Sequence, residues 1–240
     1  MQGNYNDLYR ILDNRVTIFF LFNIQGIMRH LNLLEQILCG VDTALRTVFV
    51  PKNRMSKRDN PGQIQQEQTM SPDEKRHVAG LMRVNHAGEV CAQALYQGQA
   101  STAQLSEVKQ QMTEAAEEEI DHLAWCEQRL RELDSQPSVL NLLWYSGSFM
   151  LGALAGLAGD RWSLGFVAET ERQVALHLQK HLQYLPPQDI KTKAILAKMQ
   201  EDEAHHAEMA VTAGAIELPF LIKKLMAAAS TLLTRSSYHI

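Results

Sequence analysis

The sequence predicts an all-α fold: a four-helix bundle with a pair of metal ions in its core and a short amphipathic helix at each end. Three observations carry that expectation. Two Glu-x-x-His motifs, Glu119 with His122 and Glu203 with His206, are each preceded by a lone glutamate, Glu89 by 30 residues and Glu171 by 32. The long periodic segments are rich in Ala, Leu, Gln and Glu, and Gly-rich hairpin signals are absent. Prolines fall between those segments, where helices stop and start.

Residues 30–48 read as a short amphipathic helix, with Leu31, Leu34, Ile37, Leu38, Val41 and Leu45 at helical spacing. Residues 50–70 read as a linker: Pro51, Pro61 and Gly62, four basic residues from Lys52 to Arg58, then a Gln-rich stretch. The first main helix starts sharply, with Ser71 as N-cap, Pro72 at the first helical position and Glu74 completing a capping box. It is expected to end near residue 103 and carries Glu89. A second helix, over about 107–134, carries Glu119 and His122 and stops at Ser135, Gln136 and Pro137. A third, over about 138–184 with a break at Gly159 and Asp160, carries Glu171. Pro186 and Pro187 separate it from a fourth, over about 188–216, with Glu203 and His206. Pro219 precedes a terminal helix over about 220–235. Residues 28–70 are thus an N-terminal helix and linker, and residues 71–240 the bundle with its terminal helix.

The spacing has chemical content. Residues three apart share a helix face, so each motif presents a carboxylate and an imidazole to one region. Two facing antiparallel hairpins bring four carboxylates and two imidazoles together, the ligand set of a di-iron carboxylate centre. Such donors suit iron or manganese over soft metals. Four glutamates balance the charge of two ferrous ions, so neither set is buried unpaired. Two ferrous ions together supply two electrons to O2, and the oxidant that results can attack an organic substrate or oxidise further iron. The motif does not choose between them.

Composition sets the motif against chance. With 17 Glu and 9 His, fewer than one Glu-x-x-His pair is expected, and three occur. The third, Glu74 with His77, sits in the first turns of a helix, where glutamate is favoured, and has no partner glutamate at the repeated distance. The bland alternative for the other two is a pair of solvated faces in a Glu-rich chain. Asp121, Asp202 and Glu118 are candidates to orient the histidines, or else solvent-facing acids. Tyr96, seven residues after Glu89, either reaches the site or fills the core. His177, six residues after Glu171, is a candidate to face a substrate or a plain core histidine. His205 points about 100° away from His206 and is set aside. Cys126, four residues after His122, reads as a small core residue.

The net charge of −4 argues against a non-specific nucleic-acid binder. Cys39, Cys91 and Cys126 show no C-x-x-C spacing and leave an odd count, which suits a reducing compartment. Residues 16–22 are apolar but too short to span a bilayer, and no small-residue cleavage site follows. Residues 1–27 read as an upstream extension with Met28 as the natural start. Residues 135–159 carry no charge, but Pro137, Asn141 and four glycines interrupt them, and they lead into the helix with Glu171. That segment reads as an apolar helix, partly core and partly contact surface, and the terminal helix, with Lys223 and Lys224 among its apolar residues, suits interfacial attachment. A dimer interface is the alternative for both.

Five stretches, RVNHAGEVCAQALYQGQ (83–99), EEEIDHL (117–123), LLWYSGSFMLGALAGLAGD (142–160), ETERQVALHL (169–178) and EDEAHH (201–206), resemble the demethoxyubiquinone hydroxylases of ubiquinone biosynthesis, bacterial branch. The resemblance covers about residues 28–235. It implies a ferritin-like di-iron monooxygenase that uses O2 to hydroxylate the ring of a polyprenylated methoxy-methyl-benzoquinol. It implies two iron ions per chain, held by Glu89, Glu119, His122, Glu171, Glu203 and His206. Both Glu169 and Glu171 stand in ETERQ, and the register of VALHL favours Glu171. The resemblance further implies a peripheral protein on the cytoplasmic face of the bacterial cell membrane, alone, as a homo-oligomer or with other proteins of the pathway. Leu142, Leu143, Trp144, Phe149, Met150 and Leu151 mark the region expected to accept the isoprenoid tail.

Three rivals remain. A ferritin-like iron-oxidising or storage protein would need a cage-forming surface, which a long uncharged glycine-bearing segment fits poorly. A di-iron hydroxylase of modified tRNA would need a basic patch. A metal-free helical membrane module would make the six-residue set a coincidence. No GxGxxG fingerprint follows a strand, so bound NAD or flavin has no support in the sequence.

Overall fold

The computed structural model describes residues 33–49, 51, 54–66 and 69–240. Among them are seven helices and no strand: α1 (Leu33–Val48), α2 (Pro72–Thr102), α3 (Ser106–Glu132), α4 (Asn141–Leu157), α5 (Asp160–Tyr184), α6 (Ile190–Thr212) and α7 (Phe220–Ser237). The expected extension over residues 1–27 and its start at Met28 lie outside the described residues. Residues 43–240 form one compact unit, which holds every helix from α2 onward.

Each helix boundary has a local cause. The Ser71 hydroxyl accepts from the Glu74 N–H and the Glu74 carboxylate accepts from the Ser71 N–H, so the capping box forms. Glu74 is therefore committed to the cap, and its neighbour His77 contacts the Tyr238 hydroxyl and the Tyr184 carbonyl. Gly159 breaks the third predicted helix in two, at φ 111°, a conformation that a side chain disfavours. The Asp160 carboxylate beside it accepts the N–H groups of Gln104 and Leu105, which ties this break to the turn between α2 and α3. α6 stops at Thr212, short of the expected residue 216. Gly214 takes φ 102°, and the Ala215 N–H turns back to the Ala210 carbonyl at 3.1 Å, closing the helix in a Schellman turn.

Side-chain pairs give the directions of the helices. Lys75 with Asp134, and His86 with Glu127, run α2 antiparallel to α3. Asn85 with His181, and Gln99 with Ser163, run α2 antiparallel to α5. Arg129 with Thr192, and Cys126 with Met199, run α3 antiparallel to α6. Two apolar layers fill the space between these helices. One holds Val78, Met82, Trp125, Leu130, Leu178, Ile195 and Met199, and the other holds Tyr96, Met112, Leu164, Val167 and Ala210. The segments carrying Glu89, Glu119, Glu171 and Glu203 lie between the layers in sequence register.

The uncharged segment becomes α4, which lies parallel to α2 and close against it. Cβ atoms added at Gly98 or Gly152 would run into the backbone of the opposite helix, at Phe149 and Ala153 or at Leu95. The outer face of α4 leaves Leu142, Leu143, Met150, Leu151 and Leu154 exposed. Trp144 instead bonds to Ser237, and Phe149 stacks near Tyr145, so two of the six residues expected around the tail turn inward. α7 exposes Phe220, Leu221, Leu225 and Leu232. No described helix is long and apolar enough to cross a membrane.

The basic segment read as a linker is laid along α3 and reaches α6. Arg54 pairs with buried Glu127, the Lys57 N–H bonds Asp121, Asn60 bonds Gln128, and Gly62 packs against Ile195. The close approach of α2 and α4 makes a test. Gly152→Ala is expected to destabilise by about 1–3 kcal/mol, because backbone on the facing helix cannot yield. Gly147→Ala, on the open face with nothing within 4 Å of a new Cβ, should stabilise by up to about 1 kcal/mol. Denaturant unfolding of both variants checks this, and equal effects would contradict the packing.

Candidate metal centre

α2, α3, α5 and α6 supply the six candidate residues, each buried: Glu89, Glu119, His122, Glu171, Glu203 and His206. Ligand atoms of Glu89, Glu119, His122 and Glu203 all lie within 4.8 Å of one another. His206 and Glu171 flank this group. His122 Nδ1 is 3.2 Å from Glu119 Oε2, 3.1 Å from Glu203 Oε1 and 3.7 Å from Glu89 Oε2. His206 Nδ1 is 3.5 Å from Glu119 Oε1 and 3.3 Å from Glu203 Oε2. Glu119 and Glu203 therefore each turn one oxygen to each imidazole. The Glu171 carboxyl lies beside Glu203 and accepts the Tyr96 hydroxyl at 2.5 Å.

The donor set fits a pair of cations. Glu119 Oε1, Glu171 Oε2 and Glu203 Oε1 are buried without a hydrogen bond; the first and last face only an imidazole nitrogen and Glu171 Oε2 faces none, an arrangement that costs free energy unless further positive charge meets them. Burial pushes Glu89 and Glu171 well above the usual carboxylate range, and the neighbouring carboxylates push the same way. Burial would also raise Glu119, but the His122 charge and its hydrogen bond outweigh that and hold it well below. Burial would lower the two imidazoles; the carboxylates around them win, and His206 is pushed up to about 12. Four acids and two bases are thus competing for protons in a closed space, which bound cations would replace. Burial, then Glu171, raises the Tyr96 phenol, which stays protonated and a donor.

The outer nitrogens of the imidazoles meet acids in a crossed pattern. His122 Nε2 lies 3.0 Å from Asp202 on α6, and His206 Nε2 lies 3.0 Å from Glu118 on α3. Each of these acids precedes a motif glutamate by one residue, and each serves the histidine of the other motif. With Nε2–H donated outward, Nδ1 keeps its lone pair for the centre. Asp121, the third candidate, pairs with no histidine among the described residues and instead accepts from Arg58 and from the Lys57 N–H.

Other candidates fall elsewhere. Glu169 bonds Gln173 and faces Lys223, away from the cluster. His177 does not reach the cluster; it lies against His181, ring centroids 3.9 Å apart, in a cleft with Tyr184 and Tyr238. His205 is exposed, and Cys126 is buried in the apolar layer. The residue that sequence reasoning missed is Arg58. It contacts Asp121 and Asp202, each at 2.8 Å, with its guanidinium 5.0 Å over the Trp125 ring. The available signal was a cluster of bases next to helices rich in acid; nothing in the spacing paired them.

Known proteins are similar to this chain over most of its length. The family described as ubiquinone biosynthesis protein COQ7 matches residues 76–237. A protein of Legionella pneumophila (strain Paris) named 3-demethoxyubiquinol 3-hydroxylase is 62% identical over 213 residues, covering 89% of this chain and 100% of its own. Proteins of the same name from Acinetobacter baylyi and Acinetobacter baumannii are 56% and 54% identical, again over 89% of this chain and their whole lengths.

The histidine pair away from the centre yields a pH prediction. Burial, then Lys180, lowers His177 to about 4, and burial, then His177, lowers His181 to about 3. Both are neutral when folded, while the unfolded chain binds protons below about pH 6.5. Their contribution to stability is therefore complete above that pH and is lost as pH falls towards 4 and then 3. The stability difference between the metal-free wild type and His181→Gln should shrink across that window, since only the wild type gains this proton on unfolding. A constant difference from pH 7 to pH 4 would contradict the assignment.

Proposed function

The chain belongs to the COQ7 family of ubiquinone biosynthesis proteins and is a hydroxylase of that pathway, and on that premise we propose that it hydroxylates the ring of a polyprenylated methoxy-methyl-benzoquinol, demethoxyubiquinol, with O2 and two bound iron ions. In this reading α2, α3, α5 and α6 form a ferritin-like four-helix bundle. The observation that carries the metal assignment is the split of Glu119 and Glu203, one oxygen towards each imidazole. Glu89 with His122, Glu171 with His206, and Glu119 and Glu203 between them would together hold the two ions. When bound, the ferrous pair supplies the two electrons that make O2 reactive towards the ring.

The chain's own residues do the rest. Tyr96 donates to Glu171 and holds that carboxylate towards Glu203. The crossed acids Asp202 and Glu118 keep the imidazole lone pairs inward. The apolar layers on either side keep bulk water from the buried carboxylates. The exposed leucines and Met150 of α4, with Phe220, Leu221 and Leu225 of α7, offer an apolar surface for a substrate whose isoprenoid tail stays in lipid. Lys224 on α7, over the exposed Phe220 ring, suits anionic headgroups, while Lys223 is paired with Glu169 and Glu217. We propose a peripheral position on the cytoplasmic face of the cell membrane, a reading these apolar faces support only as far as contact with lipid. Self-association through the same faces would compete with lipid.

Iron analysis of anaerobically purified protein, then O2 with a demethoxyquinol, tests the reading. About two irons per chain and ring hydroxylation are expected. Glu119→Ala or His206→Ala with full iron and full activity would overturn it. A second expectation follows from the crowded carboxylates: Glu171→Gln should raise the stability of the metal-free protein by roughly 1–2 kcal/mol while reducing the stabilisation that ferrous ion confers on the wild type. Calorimetry with and without ferrous ion, under anaerobic conditions, reads both effects.

A further inference from the structure

The two halves of the centre look equivalent in sequence and are not equivalent in space. Asp202 is 10% exposed at its side chain, and its Oδ2 faces both His122 Nε2 at 3.0 Å and Arg58 Nη1 at 2.8 Å, while its Oδ1 accepts from Lys198 at 3.0 Å. Glu118 is 47% exposed, and among the described residues its carboxylate pairs with His206. One imidazole is thus oriented by a carboxylate held by two further donors, Arg58 and Lys198, the other by a carboxylate half in water.

Lys198 holds Asp202 from within α6, but the partner that shares the oxygen facing His122 comes from outside the helices that carry the motifs. Arg58 reaches Asp121 on α3 with Nε and Asp202 on α6 with Nη1, and so spans the two helices that bear the Glu-x-x-His motifs. Its position is set in turn by the Lys57 N–H on Asp121 and by the face of Trp125, whose ring packs 5.3 Å from His122. Arg58 Nη2 lies 3.4 Å from His122 Nε2, longer than the contact of that nitrogen with Asp202. With a cation in the centre, the shorter contact to an anion would keep the hydrogen on Nε2 and leave the Nδ1 lone pair to the cation.

Resting on the metal reading above, we infer that Arg58 is a positioning residue for the metal centre: by holding Asp202 against His122 it makes the His122 position the tighter of two inequivalent metal positions. An arginine bound to two carboxylates has lost most of its freedom, and so has the acid it holds; an exposed glutamate keeps exchanging its partner for water. Outer partners of metal-binding histidines are worth about 10–100-fold in affinity, enough to separate the two steps of loading.

The test is anaerobic calorimetric titration of the metal-free full chain with manganous ion, for wild type, Arg58→Gln, Asp202→Asn and the double variant. Wild type is expected to bind in two steps. Arg58→Gln should weaken the tighter step by about 10–100-fold and leave the other in place. Asp202→Asn should do the same, and the double variant should bind no more weakly than Asp202→Asn alone, because Arg58 acts through Asp202. Losses that add in the double variant, or an unchanged isotherm for Arg58→Gln, would overturn the inference. Wild type that binds no metal would instead sink the metal reading beneath it. If Arg58→Gln does not fold by circular dichroism, Arg58→Lys carries the test: it keeps the charge but loses the bridge, so the tighter step should still weaken, and a wild-type isotherm would refute the role.

Discussion

Burial of four carboxylates around two imidazoles is the constraint on which the rest of this structure depends. No single helix can satisfy it. Glu89, Glu119, Glu171 and Glu203 come from four helices, and each is almost wholly removed from water. Charges so placed are tolerable only when counter-charge and fixed hydrogen bonds meet them. The apolar layers on either side, Trp125 and Met199 on one and Tyr96 and Leu164 on the other, hold the helices at the spacing the carboxylates need. Stability and chemistry therefore pull in opposite directions at this level of the core, and the surrounding packing offsets the difference.

The same constraint explains why the polar network crosses between motifs. A histidine that gives Nδ1 to the centre must send Nε2 outward, and in an antiparallel pair the nearest outward group belongs to the other helix. Asp202 and Glu118 occupy those places, one residue before the motif glutamates. The segment carrying Arg54, Lys57 and Arg58 then closes one side: Arg54 pairs with Glu127, and Arg58 with both Asp121 and Asp202, while the Lys57 N–H adds a hydrogen bond to Asp121. The opposite side, at Glu118, stays open to water.

α4 answers a different demand. Its glycines let it lie against α2 at backbone distance, which frees its outer face to carry large apolar side chains. A helix that is apolar on both faces would read as a membrane span; here the inner face is spent on close packing. That division accounts for an uncharged stretch of sequence in a helix too short to cross a bilayer.

Much of this was legible in the amino-acid order, because helices impose a local period. The capping box at Ser71, the break at Gly159 and the face shared by Glu119 and His122 all follow from residues within a few positions of each other. The repeat of the ligand unit extended that reach, since one hairpin predicts its twin; between Glu169 and Glu171 it was the family resemblance, through the VALHL register, that favoured Glu171. Helix ends near Thr212 and Glu132 were set by single turns at Gly214 and Asp134, which helical periodicity does not see. The sequence by itself thus determined which residues are ligand candidates and on which helices they ride. Only the tertiary structure decided which acid serves which histidine, where His177 points, and that Arg58 joins the two motif-bearing helices. Those contacts link residues far apart along the chain, from 63 positions for Arg58 with Asp121 to 144 for Arg58 with Asp202, and their choice depends on three-dimensional distance and burial, to which spacing along the chain is blind.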